Sequence, residues 1–253
     1  MRADFVANAS HELRTPLSSL IGFIETLKTV GAQDPEASAR FLGIMNAEAL
    51  RMVRLIDDLL SLSRIEMDRH LQPSASVALP ALFESLLRSM QPQATARAVC
   101  FDVALEGDLP AARGDRDQLL QVFMNLLSNS IKYGRQGGTV RITAKQVRRI
   151  PEVGSPGLCI TVSDEGDGIP SEHLPRLTER FYRVDSARSR RMGGTGLGLA
   201  IVKHIVSRHR GHLAIDSVLG QGTSVAVYLP AADPVEEGQE PTQQAQAIAS
   251  AAQ

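Results

Sequence analysis

His11 sits in the run Phe5 to Leu17, FVANASHELRTPL, with Glu12 beside it, Thr15 four residues on and Pro16 next. An imidazole nitrogen is a nucleophile, a neighbouring carboxylate can take its proton, and a hydroxyl four residues later on a helix shares its face. Proline inside a helix removes a hydrogen bond and clashes with the carbonyl four residues back, here that of Glu12, at a cost of about 3 kcal/mol. Local conflict of this kind is more expected at a functional site than elsewhere. HELRT is no zinc-protease HExxH motif, because its fifth position is Thr15 and a metal would lack its second histidine.

A second set of residues points to phosphate chemistry. Asp164-Glu165-Gly166-Asp167-Gly168-Ile169-Pro170 follows an alternating apolar run, and Gly193-Gly194-Thr195-Gly196-Leu197-Gly198-Leu199-Ala200 opens a helical one. Glycines let backbone approach a ligand, and a helix N-terminus offers unpaired N–H groups to phosphate. Neither segment ends in the Gly-Lys-Ser/Thr of a Walker A loop, and Leu199 stands where a dinucleotide fingerprint has its third glycine. Either segment alone reads as a loop; the two within one domain favour a nucleotide. Asn125 and Asn129 lie one turn apart in an otherwise apolar helical run, where asparagine is a poor helix former. Neutral oxygen ligands completed by phosphates suit Mg2+, and Lys132 could reach an anion as a point charge. Between the glycine segments, Arg183, Arg188, Arg190 and Arg191 lie in a small, polar, basic stretch that reads as a mobile lid over a polyphosphate, or as a solvated basic loop.

These residues need a scaffold. Apolar residues at Val6, Ala9, Leu13, Leu17, Leu20, Ile24 and Leu27, then at Phe41, Met45, Ala49, Met52, Ile56 and Leu59, have helical period. Gly31 to Pro35 is a short turn, so the two helices are antiparallel neighbours. Two helices cannot bury such stripes alone. A symmetric dimer forming a four-helix bundle is the natural solution, and packing on the downstream domain is the alternative. His11 lies off the stripe and should be exposed. Further on, Val99–Leu105, Thr139–Ala144, Leu158–Asp164 and Ser224–Leu229 read as strands, and runs from Leu79, over Asp115–Tyr133 and over Leu197–Arg208 as helices. The last two strands should pair antiparallel, giving an α/β sandwich with a mixed sheet and helices on one face.

Composition bounds the alternatives. The chain has 253 residues, 43% hydrophobic and 22% charged, with a net charge of −1. That excludes wholesale disorder and argues against a general nucleic-acid binder. Residues 1–72 carry a net −2, 73–232 a net +5 and 233–253 a net −4. These shifts divide the chain into a helical hairpin (1–72), an α/β domain (77–232) and a Gln-, Ala- and Glu-rich tail (233–253) expected to be disordered. Cys100 and Cys159 make neither a disulfide framework nor a zinc cluster and read as reduced cytosolic thiols. No apolar run approaches the roughly 18–20 residues of a membrane span, and the N-terminus is no signal peptide.

In order and spacing, residues 5–230 resemble the transmitter region of a bacterial two-component sensor histidine kinase. Phe5 to Leu17 resembles its H-box, Asn125 to Tyr133 its N-box, Asp164 to Ile169 its G1 box, Arg180 to Arg183 its F-box and Gly194 to Leu199 its G2 box. The H-box and the stretch RLIDDLLSLSRIE are most similar to phosphate-regulon sensor kinases. The resemblance implies a helical-hairpin dimerisation domain followed by an ATP-binding α/β sandwich of the histidine-kinase, gyrase and Hsp90 type. It implies that His11 accepts the γ-phosphoryl group of ATP, that Glu12 helps take its proton, and that Thr15 serves a phosphatase activity. Asn129 with Asn125 would hold Mg2+, Lys132 would contact phosphate, Tyr133 would pack on adenine and Asp164 would accept from the adenine amino group. Gly166, Gly168, Gly194, Thr195, Gly196, Leu197 and Gly198 would shape the cleft and its lid. The implied partners are a second copy of the chain and a response regulator bearing an acceptor aspartate. Only ten residues precede His11, so any sensor and membrane spans would lie upstream, with these residues in the cytoplasm. An ATPase of the gyrase, Hsp90 and MutL class would share the nucleotide boxes but not explain HELRTP. A degenerate, scaffold-only relative would have lost Asn129, Asp164 or the glycines, and all are present.

Overall fold

Asp34 marks the corner between two long helices. Its Oδ1 accepts from the Ala37 N–H at 2.8 Å, and Pro35 fills the first helical position, where its missing N–H costs nothing. The helices are α1 (Arg2–Val30) and α2 (Pro35–Met67) of a computed structural model that describes residues 2–30, 34–67, 71–185, 188–189 and 192–232. The predicted tail 233–253, the turn residues 31–33 and the side chain of Val6 lie outside the described residues. No helix among the described residues is long and apolar enough to cross a membrane.

The α1 helix runs through Pro16, as the sequence predicts, and the hairpin is pinned by Phe23 against Phe41, ring centres 5.5 Å apart. The predicted stripes are only partly covered: Leu17, Ile24 and Ile56 are 49%, 42% and 42% exposed. Two helices have no second layer to close that face. The α2 helix also buries a face that the period count did not single out. Leu55, Leu62 and Ile65 join the core of the following domain, so an exposed apolar face and downstream packing coexist on one helix.

That domain has the expected mixed sheet. Its elements are β1 (Ser76–Val77), α3 (Leu79–Ala96), β2 (Cys100–Leu105), β3 (Ala112–Arg113), α4 (Arg116–Tyr133), β4 (Thr139–Val147) and β5 (Gly157–Asp164). A 3-10 turn (Ser171–Arg176), α5 (Gly198–Arg208), β6 (His212–Val218) and β7 (Gly222–Pro230) follow. The large sheet has the order β2-β4-β5-β7-β6, with β2 parallel to β4 and every other pair antiparallel; β1 and β3 form a separate ribbon. The expected pairing of Leu158–Asp164 with the final strand is β5 on β7. The strand β6 is not among the strands expected from the sequence. It is an edge strand whose short polar and apolar residues give weak alternation.

Alternation in β4 (Val140, Ile142, Ala144) and β5 (Leu158, Ile160, Val162) turns one apolar row toward the helices. Leu82, Phe83 and Leu86 of α3, Phe123 and Leu126 of α4, and Ile201 and Ile205 of α5 cover it, with Phe83 and Phe123 centred 4.9 Å apart. Each fully buried side chain of this size contributes about 1.5–3 kcal/mol.

His209, only 1% exposed, ties the end of α5 to the start of α4. Its Nε2 accepts from the Asp115 N–H at 3.0 Å, and Nδ1–H donates to the Ile205 carbonyl at 2.8 Å. Burial holds its pKa below the ordinary 6.5, so the ring is neutral. The folded value lies below the unfolded one, so stability is intact above pH 6.5 and falls as the pH drops below it, by at most about 1.4 kcal/mol per pH unit. Thermal melts at pH 7.5 and 5.5 should show a larger acid-induced drop in wild type than in His209→Gln. Equal drops would contradict this role.

Candidate functional site

His11 is exposed on α1, and the Thr15 hydroxyl donates to its backbone carbonyl at 3.2 Å. Glu12 is not free. Its Oε2 accepts from Arg51 Nη2 at 3.0 Å and from Arg183 Nη2 at 2.8 Å. Both guanidiniums are nearly buried, at 8% and 6% side-chain exposure, against 25% for the carboxylate. In this arrangement the Glu12 carboxylate is paired with two guanidiniums rather than turned to His11 alone. Arg183 Nη2 also donates to the Thr195 carbonyl at 2.8 Å, which joins the His11 segment to the second glycine turn.

The α4 helix presents the polar row. Asp115 caps it, its Oδ1 accepting from Asp117 N–H at 3.0 Å and Gln118 N–H at 3.1 Å. Asn125, Asn129, Lys132 and Tyr133 follow, all half-buried. Tyr133 is where the two glycine segments meet. A Cβ on Gly166 would lie 2.4 Å from the Tyr133 carbonyl oxygen, and one on Gly194 would lie 3.3 Å from its hydroxyl. That hydroxyl is also 3.1 Å from Ser189 Oγ. At Gly196 the backbone has φ +75°, and a side chain would meet the Phe181 Cα at 2.9 Å, so only glycine fits. The Phe181 N–H donates to the Gly196 carbonyl at 2.8 Å, fastening the two loops together. Leu197 is fully buried at the start of α5, and Gly198 lies beside the Asn125 side chain.

Asp164 ends β5 at the floor of this cleft. Burial pushes its carboxyl above the ordinary carboxylate range, while hydrogen bonds from the Gly166 N–H, at 3.0 Å, and the Ser130 side chain offset part of that. Gly168, at φ +70°, turns the chain beneath the Val218 carbonyl. The basic loop is more committed than a free lid. Arg183 holds Glu12, and Arg188 holds Asp167 at 2.8 Å. Arg190 and Arg191, the other two arginines of the expected lid, lie outside the described residues.

The donor set here is that of an anion site, with amide oxygens available to a cation. Asn125 Nδ2 is buried with no hydrogen-bond partner, a donor that an acceptor such as a phosphate oxygen would satisfy. Among the described residues no three His, Cys, Asp or Glu side chains converge, so a cation on α4 would rest on amide oxygens, with phosphate and water completing its shell. Asn125 and Asn129 would hold it, and it would neutralise charge on the phosphates. A separate cavity of about 410 Å³ between α2 and α4, lined by Asp57, Ser61, Arg64, Gln118 and Gln121 among others, includes none of these residues.

Three participants escaped the sequence reading: Arg51, Arg54 and Asp58 of α2. They lie three and four residues apart, on the face that also carries Leu55. The apolar period of α2 marks a different stripe, so no spacing pointed to this face.

Comparison with known proteins gives consistent results. Residues 1–68 match the family model of the His Kinase A (phospho-acceptor) domain, and residues 114–233 that of the histidine kinase-, DNA gyrase B- and HSP90-like ATPase. The chain is 40% identical over 238 residues to the phosphate regulon sensor protein PhoR of Pseudomonas aeruginosa, covering 93% of this chain and 52% of that one. It is 38% identical over 229 residues to the sensor protein kinase WalK of Staphylococcus saprophyticus, covering 90% and 36%. The solved structure of full-length ShkA in complex with AMPPNP superposes with a TM-score of 0.63 at 25% identity, covering 92% of this chain and 47% of that one. The chain thus spans about a third to a half of the length of the curated relatives it matches.

Proposed function

We propose, from the premise that this chain belongs to the sensor histidine kinases and carries both their phospho-acceptor hairpin and their ATP-binding sandwich, that it transfers the γ-phosphoryl group of ATP to His11 and then to an aspartate of a response regulator. The observation that carries this reading is the run of contacts from Glu12 through Arg183 to Thr195. It ties the neighbour of the exposed histidine to the glycine turn that would hold phosphate. In the transfer, an imidazole nitrogen of His11 would form the N–P bond as the bond to the ADP oxygen breaks. The imidazole proton would pass to Glu12 once Arg183 releases it. Asp164 would orient the base, and Lys132 would neutralise phosphate charge.

A second copy of the chain would cover the exposed Leu17, Ile21 and Ile24 of α1 and Leu50 and Val53 of α2, completing a four-helix bundle. Any attachment to a membrane would come from segments other than those described. Similarity to PhoR supports phosphate-starvation signalling as the setting, and similarity to WalK, at nearly the same identity, supports the shared phosphotransfer rather than that setting.

Thr15 supports a second activity on the same face. Its exposed hydroxyl donates to the His11 carbonyl and keeps lone pairs that can orient a water toward a phospho-aspartate docked there. Thr15→Ala should therefore slow dephosphorylation of the partner regulator by about tenfold or more, while label on His11 changes little. Rates are compared on a labelled regulator. Equal rates in both proteins would leave Thr15 only its carbonyl bond, as helical threonines commonly make.

A further inference from the structure

Side chains of the hairpin reach into the nucleotide cleft and serve no step described above. Thr195 Oγ1, in the second glycine turn, donates to Asp58 Oδ2 at 2.7 Å. Arg54, one turn earlier on α2, stands against the same turn, its Nη2 3.0 Å from where a Cβ on Gly193 would lie. Lys132, near the end of α4, completes the group. Burial and the nearby Arg54 guanidinium hold its pKa below the ordinary lysine value, and Asp58 partly restores it. Two cations, a hydroxyl on a glycine turn and the N-terminus of α5 are the groups that would receive phosphate oxygens. In this structure a carboxylate of the chain itself sits among them.

The fit is electrostatic as well as steric. Asp58 is half-buried: burial raises its carboxyl, the Thr195 bond lowers it, the neighbouring Asp57 charge raises it, and the charges of Lys132 and Arg54 lower it. A carboxylate taken from water into this pocket is held because the pocket is already arranged for an anion. Ser61, three residues on, bonds Gln121 of α4, with Oγ to Oε1 at 3.0 Å, and Arg180 pairs with Glu66. The same face of α2 is thus fastened along the sandwich while Asp58 is in place.

We propose that Asp58 is an internal competitor for the phosphates of the nucleotide: the docked hairpin seats its carboxylate in the anion site, so docking and tight nucleotide binding exclude each other. The proposal rests on reading the cleft as an ATP site. By linkage, whatever factor docking takes from nucleotide affinity, bound nucleotide takes from docking. Nucleotide entry would then free the hairpin, and with it the carboxylate of Glu12, since both are held by the same pair of loops. The chain would idle closed and arm itself on binding substrate.

The test is calorimetric titration of the full chain with AMPPNP and Mg2+. Asp58→Asn keeps the shape and an acceptor for Thr195 but removes the charge, and should tighten binding about tenfold. Asp57→Asn makes the same charge change at an exposed position that lines the separate α2–α4 cavity, and should leave affinity unchanged. Unchanged or weaker binding by Asp58→Asn overturns the proposal, as does equal tightening by Asp57→Asn, which would make the effect one of general charge. Absence of binding by both wild type and Asp58→Asn would overturn the ATP-site reading itself; measurable and equal binding would overturn only the role of Asp58.

Discussion

Replacing His11 with glutamine should leave the chain unable to take up label from γ-labelled ATP while its affinity for AMPPNP and Mg2+ stays within about twofold. The two properties separate because they reside on different units. His11 is an exposed residue of α1, and the nucleotide groups lie on α4, β5 and the turns before α5. Glutamine is a good helix former and exposed at this position, so the helix has no reason to fail. A nucleophile has no partial substitute: without the imidazole nitrogen there is no atom at that place to form the N–P bond. Glu12, the nearest other reactive group, is held by two arginines. Label on His11→Gln at the wild-type level would refute the assignment of the acceptor.

Asn129→Ala should have the next largest effect, on binding rather than transfer. The Asn125 and Asn129 pair is one turn apart on α4, and each amide carries an oxygen that could ligate a cation. A cation bridging this row to phosphate would lose a direct oxygen ligand in Asn129→Ala. An interaction of a charged group with a polar partner contributes about 1.5–3 kcal/mol, so affinity should fall by ten- to a hundredfold or more. Asn129 is half-buried and outside the apolar core of α4, so the thermal midpoint should move little. Titration with AMPPNP in the presence and absence of Mg2+ reads the effect. Unchanged affinity in Mg2+ would remove Asn129 from the metal site.

Local rules carried a large part of this fold. The periods of α1, α2, α4 and α5 and the alternation of β4 and β5 are properties of adjacent residues, and they stood out because each element buries one face. The glycine segments were legible for the same reason, being turns whose composition has few other uses. The edge strand β6 was missed because it has little to bury. The exposure of His11 followed from its angle to the stripe, but the clamping of Glu12 did not. Its partner Arg183 is 171 residues away, and no spacing rule links an α1 carboxylate to a loop arginine. The same holds for Asp58 and Thr195, 137 residues apart. The apolar period of α2 marked the stripe through Met52 and Ile56, not the face of Leu55. Only the packing of Leu55, Leu62 and Ile65 on the sandwich determines what that face meets.

The central claim is that transfer from ATP places the phosphoryl group on a histidine nitrogen of this chain. It is tested most directly by incubating the chain with γ-labelled ATP and Mg2+, separating the protein and dividing it between mild acid and mild base. Phosphorus bound to an imidazole nitrogen predicts label that is lost in acid and kept in base. Label that survives acid, or a chain that binds nucleotide yet acquires no label, would contradict the account.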